Sequence, residues 1–297
     1  MAGSGILFAY DFSERSELAA KRAFQLAREH GKTVHAVHVA DEAFPEWKWL
    51  PDYHQDSELS IIDRLKQAVR ERLKSQLGPL AAEYGVALEV YAGFGYVPEQ
   101  LHSIGLKTDS RMMVIGAHGR HRVRNIMLGA TAEQLLWYLE PPTLVVRNES
   151  SEPYSRILIA ADFCEESEAA MAQVASWFPD ANVTVLHVID DRSTERLEDL
   201  VTTRESRGKE AKEDEEAART KLREMVSRSS LKDAKVEIHV VRGHPVEEVA
   251  RQADTLGADL VAMGGHGRSR LTRWLPGRVA SRLVHSLPCD VMLARAG

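Results

Sequence analysis

The chain carries the same pattern twice. Asp11-Phe12-Ser13 returns as Asp162-Phe163-Cys164, Val37-His38-Val39 as Leu186-His187-Val188, and residues 143–147 as residues 291–295. The offset stays between 148 (264 minus 116, two matched glycines) and 151 (162 minus 11). A period of that size is a whole domain rather than one turn of a solenoid. The 297 residues are also about what two domains need. Two homologous halves therefore lie head to tail, expected at 1–148 and 155–297. The polar stretch 148–154, with Pro153 in it, reads as the linker.

Within each half short apolar runs alternate with helical patterns. Residues 6–10 read as a strand, and the next helix is capped by Ser13 and closed by Gly31. Strands at 33–40 and 86–91 flank a long amphipathic helix at 57–84. A short helix at 98–106, a strand at 111–116, a helix at 131–139 and a strand at 143–147 complete the half. The Pro- and aromatic-rich stretch 41–55 reads as a loop over a core edge, or as a ligand lid. The second half repeats the order, with strands at 156–161, 182–190 and 235–241 and helices at 165–177, 245–256 and 279–286. Its charged segment 191–230 reads as a solvated helix face. Such alternation implies doubly wound α/β domains with parallel sheets covered on both faces.

In each half an apolar run ends in Gly-x-x-Gly, and a further glycine follows after nine residues: Gly116, Gly119 and Gly129, then Gly264, Gly267 and Gly277. A buried strand thus ends in a loop whose glycines let the backbone approach a bound group. The loop feeds a helix N-terminus, whose N–H groups and dipole favour an anion. The spacing fits neither the dinucleotide fingerprint nor GxxxxGK[ST], because no Lys-Ser/Thr pair follows. Asp11 and Asp162 stand just past the first strand of each half, on the edge where the glycine loops emerge. An acid there suits a ribose or a metal accompanying phosphates. It could instead serve only the next helix N-terminus, but its recurrence with the loop favours the ligand reading.

Other chemistries find less support. The net charge of −6 argues against nucleic-acid binding by bulk electrostatics. Cys164 and Cys289 lack metal or redox spacing, which suggests a reducing compartment without disulfides. No run approaches the roughly 18 apolar residues of a membrane span, so a cytoplasmic protein is expected. His35 and His38 face opposite sides of one strand and cannot chelate together. No HExxH or Cys/His cluster appears, and no His/Asp set surrounds Ser13 for nucleophilic catalysis.

On these glycine and aspartate positions the chain resembles a tandem universal stress protein, over nearly its whole length. The resemblance implies two five-stranded parallel-sheet domains paired through their last strands as a pseudo-dimer within one chain. It implies ATP, with Mg²⁺ accompanying the nucleotide, at Asp11, Val39, Gly116, Gly119 and Gly129 in the first half. In the second half it implies Asp162, Val188, Gly264, Gly267 and Gly277, with Val39 and Val188 beside the adenine. It also implies a protein partner of unknown identity and association into a homodimer. The family's Ser/Thr after the third glycine is Ala130 in the first half and Arg278 in the second. Thr131 either supplies a displaced hydroxyl or caps its helix. Arg278 either turns inward to hold a phosphate or closes the site. Three readings follow: a nucleotide-binding regulatory module, a nucleotide-free scaffold with degenerate loops, or an adenylating enzyme. No general base is identifiable, so slow ATP hydrolysis is the most catalysis the resemblance implies.

Overall fold

A computed structural model describes residues 5–40, 58–117, 141–149, 152–190, 204–232, 234–265 and 278–296. The chain divides into two units, Met1–Ser151 and Glu152–Gly297. The expected loop at 41–55 and helix at 131–139 lie outside the described residues.

Unit 1 runs β1 (Ile6–Ala9), α1 (Glu14–His30), β2 (Val34–Ala40), α2 (Glu58–Tyr84), β3 (Leu88–Phe94), α3 (Val97–Lys107), β4 (Met112–Gly116) and β5 (Thr143–Val146). Its strands pair in parallel in the order β3-β2-β1-β4-β5. Unit 2 runs β6 (Arg156–Ala160), α4 (Glu165–Trp177), β7 (Asn182–Ile189), α5 (Arg204–Arg228), β8 (Val236–Arg242), α6 (Pro245–Thr255), β9 (Leu260–Gly264), α7 (Arg278–Ser286) and β10 (Asp290–Ala294). The same parallel order returns as β8-β7-β6-β9-β10. Each unit is a doubly wound α/β sheet as the alternation implied. Strand order reverses beside β1 in unit 1 and beside β6 in unit 2, where ligands of such sheets bind beyond the C-terminal strand ends.

The central strands are uniformly apolar because both faces are covered: Ile6, Leu7 and Phe8 are fully buried without alternation. Helix α1 begins at a capping box. Ser16 N–H donates to Ser13 Oγ (3.2 Å) and Ser13 N–H to Ser16 Oγ (3.1 Å). It ends at Gly31, whose φ of 58° suits a residue without a Cβ. Along α2, Leu65, Val69, Leu73, Leu77 and Ala81 are buried at four-residue intervals, a stripe facing the core. This stripe runs past Pro79, which cannot donate to the helix ladder, so burial of Leu77 and Ala81 carries the helix through its last turns. Among the described residues of helix α5, those buried are Leu222, Met225 and Val226, near its end. Its exposed acids Asp214 and Glu215 pair with Arg242 at 3.1 and 3.2 Å.

β3 is the strand displaced most from expectation, starting at Leu88 rather than Val86. β3 extends to Phe94 rather than stopping at Tyr91, because Ala92, Gly93 and Phe94 continue the register against His38, Val39 and Ala40. Gly93 lies within this extension. Its place in the strand is explained by crowding, since a Cβ there would stand 3.1 Å from both Val39 Cγ2 and Gln100 Cβ.

At the other end of β2, His35 is 4% exposed, and its ring lies over Gly5 so closely that any Cβ on Gly5 would overlap it. Tyr91 meets the ring edge-on at 5.9 Å. Glu89 Oε2 stands 3.3 Å from His35 Nδ1 without hydrogen-bond geometry. Burial therefore lowers the imidazole pKa below its ordinary 6.5, and Glu89 offsets this only in part. The folded state binds this proton less tightly than the unfolded chain. Its contribution to stability is full above 6.5 and is lost as pH falls below that value. Equilibrium unfolding from neutral pH down to about pH 5 should show a shallower loss of stability in His35→Gln than in the parent. Identical slopes would contradict the assignment.

Candidate functional site

At the C-terminal edge of unit 1, β1 gives way to Tyr10 and Asp11, and Tyr10 N–H still donates to Val37 O (2.8 Å). The register Phe8↔Val114 brings Gly116, at the end of β4, alongside this turn, and Val39 stands near the end of β2 on the other side. Asp11, Val39 and Gly116 are all half-buried. Unit 2 places Asp162, Val188 and Gly264 in the same way, also half-buried. Six of the expected site residues thus converge in two threes. Gly119, Gly129, Thr131, Gly267 and Gly277 lie outside the described residues, and Arg278 is the first residue of α7.

The aspartates have a local role as well. Asp11 Oδ1 accepts the Ser13 N–H (3.1 Å) and the Ser13 hydroxyl. Asp162 Oδ1 accepts the Cys164 N–H (3.3 Å) and the Ser167 hydroxyl (2.8 Å). One carboxylate oxygen of each therefore braces the turn into the next helix.

Between each aspartate and its helix cap stands a phenylalanine in the left-handed region, Phe12 at φ 61° and Phe163 at φ 63°. That conformation costs a residue with a side chain about 1–2 kcal/mol. Both rings are held in the same way. Phe12 lies 4.7 Å from the His38 ring, with the Arg72 guanidinium 4.3 Å from its centroid. Phe163 lies 4.1 Å from His187, with Lys221 Nζ at 4.6 Å. Each histidine is fixed in turn, its Nδ1–H donating to the Tyr10 carbonyl (2.7 Å) or the Ala161 carbonyl (2.8 Å). Ring stacking and cation–π attraction offset the strain. The repeated Asp-Phe and repeated strand histidine were the signal for this stack, but a strained backbone is not visible in residue types.

The glycines that open the loops face the protein itself. A Cβ on Gly116 would stand 3.1 Å from Arg15 O and 3.4 Å from Ser16 N, in the first turn of α1. A Cβ on Gly264 would stand 2.5 Å from Glu166 Cβ in the first turn of α4. Neither glycine has positive φ. The next N–H groups continue the sheet, Ala117 donating to Val146 O (3.1 Å) and Gly265 to Ala294 O (2.9 Å). Any N–H groups offered to a phosphate must therefore come from further along the loops.

Cys164 replaces Ser13 at the cap of unit 2. Burial, and then the Asp162 carboxylate beside it, pushes its thiol pKa up, so it stays protonated and weakly nucleophilic at neutral pH. Among the described residues no group of three or more His, Cys, Asp or Glu side chains is placed to hold a metal ion. Also among these residues, no helix is long and apolar enough to cross a membrane.

The packing makes a distinct demand at the two glycines. Gly264→Ala should lower stability by about 1–3 kcal/mol, since a fixed Cβ must move. Gly116→Ala should cost less, because its neighbours need give only a few tenths of an ångström. Denaturant unfolding of both variants checks this, and two neutral substitutions would contradict it.

The comparisons with known proteins find the same duplication of the chain. The family model described as the universal stress protein family matches residues 5–147 and again 153–295. A universal stress protein of Mycolicibacterium smegmatis is 26% identical over 301 residues, covering 98% of this chain and 97% of the relative. A universal stress protein of Methanocaldococcus jannaschii is 30% identical over 154 residues, covering 48% of this chain and 95% of its own length. In fold, the crystal structure of a universal stress protein from Archaeoglobus fulgidus superposes with a TM-score of 0.67 at 17% identity, covering 99% of this chain and 96% of that one. With both copies of the pattern matched by the same family model, the chain belongs to the universal stress protein family.

Proposed function

We propose that the chain is a stress-response protein that binds an adenine nucleotide, ATP with Mg²⁺, and acts as a regulatory binding module. The observation that carries this reading is the duplicated edge. In both units a half-buried acid, a half-buried valine and the first glycine of the loop stand together beside the strand-order reversal. Val39 or Val188 offers an apolar surface to a base, and Asp11 or Asp162 a carboxylate to a ribose or a metal-bound phosphate. By its sequence pattern each glycine loop precedes a helix N-terminus, which suits an anion. The reading is of binding, with slow hydrolysis the most turnover it allows. The test is the nucleotide content of protein purified without added ligand, followed by calorimetry with ATP and Mg²⁺. Bound ATP or ADP, or saturable heat at micromolar to millimolar ATP, is expected. Neither nucleotide nor heat would overturn the reading.

A second reading, a nucleotide-free scaffold of the same fold, gains from one observation. The packing of Gly116 and Gly264 against helix starts would retain these glycines without any ligand. The same calorimetry separates the two.

The halves should also bind unequally. The backbone of Arg15, an exposed residue, lies against Gly116, and at the matching position against Gly264 lies Glu166, whose Oε2 accepts the Ala296 N–H (2.9 Å). A carboxylate there opposes a phosphate that an arginine would attract. Glu166→Gln should tighten the weaker site about twofold to fivefold, whereas Arg278→Ser should alter that same site and leave the other unchanged. Two indistinguishable sites, untouched by either substitution, would contradict the asymmetry.

A further inference from the structure

The opposite edge of unit 2, at the N-terminal ends of its strands, carries an open groove of about 420 Å³. Its lining includes Thr184, Leu256 and Ala258, and its rim the exposed cations Arg156 and Lys235. That volume lies in the range of small-molecule sites, which pair an apolar lining with a few polar groups.

Unit 1 shows what a closed version of this place looks like. The Gly5 carbonyl accepts the Arg111 N–H (2.9 Å) just as the Arg156 carbonyl accepts the Asp259 N–H (3.0 Å), so Gly5 and Arg156 are structural equivalents. Leu7 sits opposite His35 as Leu158 sits opposite Thr184, so His35 and Thr184 are equivalents too. In unit 1 the imidazole lies over bare Gly5 backbone, 4% exposed, with Tyr91 against its edge. In unit 2 the short Thr184 lines the groove instead. A ring could not lie over residue 156 in the same way, because that residue has a side chain. The counterpart of Tyr91 is His239, 3.7 Å from Glu237. The exchange of Gly5 and His35 for Arg156 and Thr184 removes a plug and adds a cation.

Among the described lining residues, Arg156 and Lys235 face one carboxylate, Glu237, which is turned to His239. The Arg156 guanidinium lies along the wall, its Cζ 3.5 Å from where a Cβ on Gly257 would stand. The nearby Asp259 carboxylate accepts the Ser155 N–H (2.8 Å) and the Arg156 N–H (3.2 Å), so it braces the strand start.

We propose that this groove binds a small molecule with an apolar body and a single anionic group. The body rests on Thr184, Leu256 and Ala258, and the anion lies between Arg156 and Lys235. The site is separate from the nucleotide edge and does not rest on that reading. Titrating the full chain with the fluorescent anion anilinonaphthalenesulfonate tests it. Saturable binding is expected, unchanged by saturating ATP. Lys235→Glu, an exposed change that leaves the fold in place, should weaken it about threefold to tenfold. The double variant Arg156→Gly/Thr184→His, which rebuilds the unit 1 plug, should remove it, with circular dichroism reporting a retained fold. Absence of saturable binding, displacement by ATP, or unchanged affinity in Lys235→Glu would each overturn the proposal.

Discussion

The contact on which each unit depends is the approach of a strand end to a helix start. Gly116 lies against the first turn of α1, where a Cβ would be crowded, and Gly264 against the first turn of α4, where a Cβ would overlap. This approach fixes the strand before the loop relative to the helix after the first strand. The turn carrying Asp11 or Asp162 lies between those two elements, so its position follows from theirs. The strained Phe12 and Phe163 belong to the same construction. Each directs the chain sharply from strand into helix and is held by a histidine from the neighbouring strand and a cation from the long helix. The geometry of the candidate site is therefore a by-product of how the unit closes its core.

Much of this was legible in the sequence because it is written in residue types that act locally. Ser13 and Gly31 mark the ends of α1 through a hydroxyl and a missing Cβ. The uninterrupted apolar strands follow from a sheet covered on both faces, and the repeated pattern supplied the number of units. What the sequence left hidden depends on contacts between distant segments. A glycine that ends an apolar run looks the same whether a ligand or a helix backbone occupies the space before it. Phe12 gives no sign of positive φ, since the compensation comes from His38 and Arg72, 26 and 60 residues away (38 minus 12 and 72 minus 12). β3 runs on to Phe94 because β2 offers a partner that far, a fact about pairing rather than about Gly93.

Duplication also explains why the two units differ where they do. Residues that hold the turn, the helix start and the sheet are repeated, as in Asp-Phe and the strand histidine. Some positions around the proposed sites have diverged: Arg15 against Glu166, Ala130 against Arg278, and His35 over Gly5 against Thr184 beside Arg156. Such a division is expected when the fold constrains one set of positions and the other is left to set affinity. It makes each unit an internal reference for the other, since a groove plugged in one and open in the other differs by identifiable side chains.

The central claim is that the duplicated edge receives an adenine nucleotide. Its most direct test is photoaffinity labelling of the intact chain with an adenine-reactive ATP analogue, followed by mapping of the modified peptides. The account predicts label, suppressed by excess ATP, in peptides spanning residues 9–17 or 34–40, in the matching segments 160–168 or 183–189, or in both sets. Label confined to other segments, or insensitive to ATP, would contradict it.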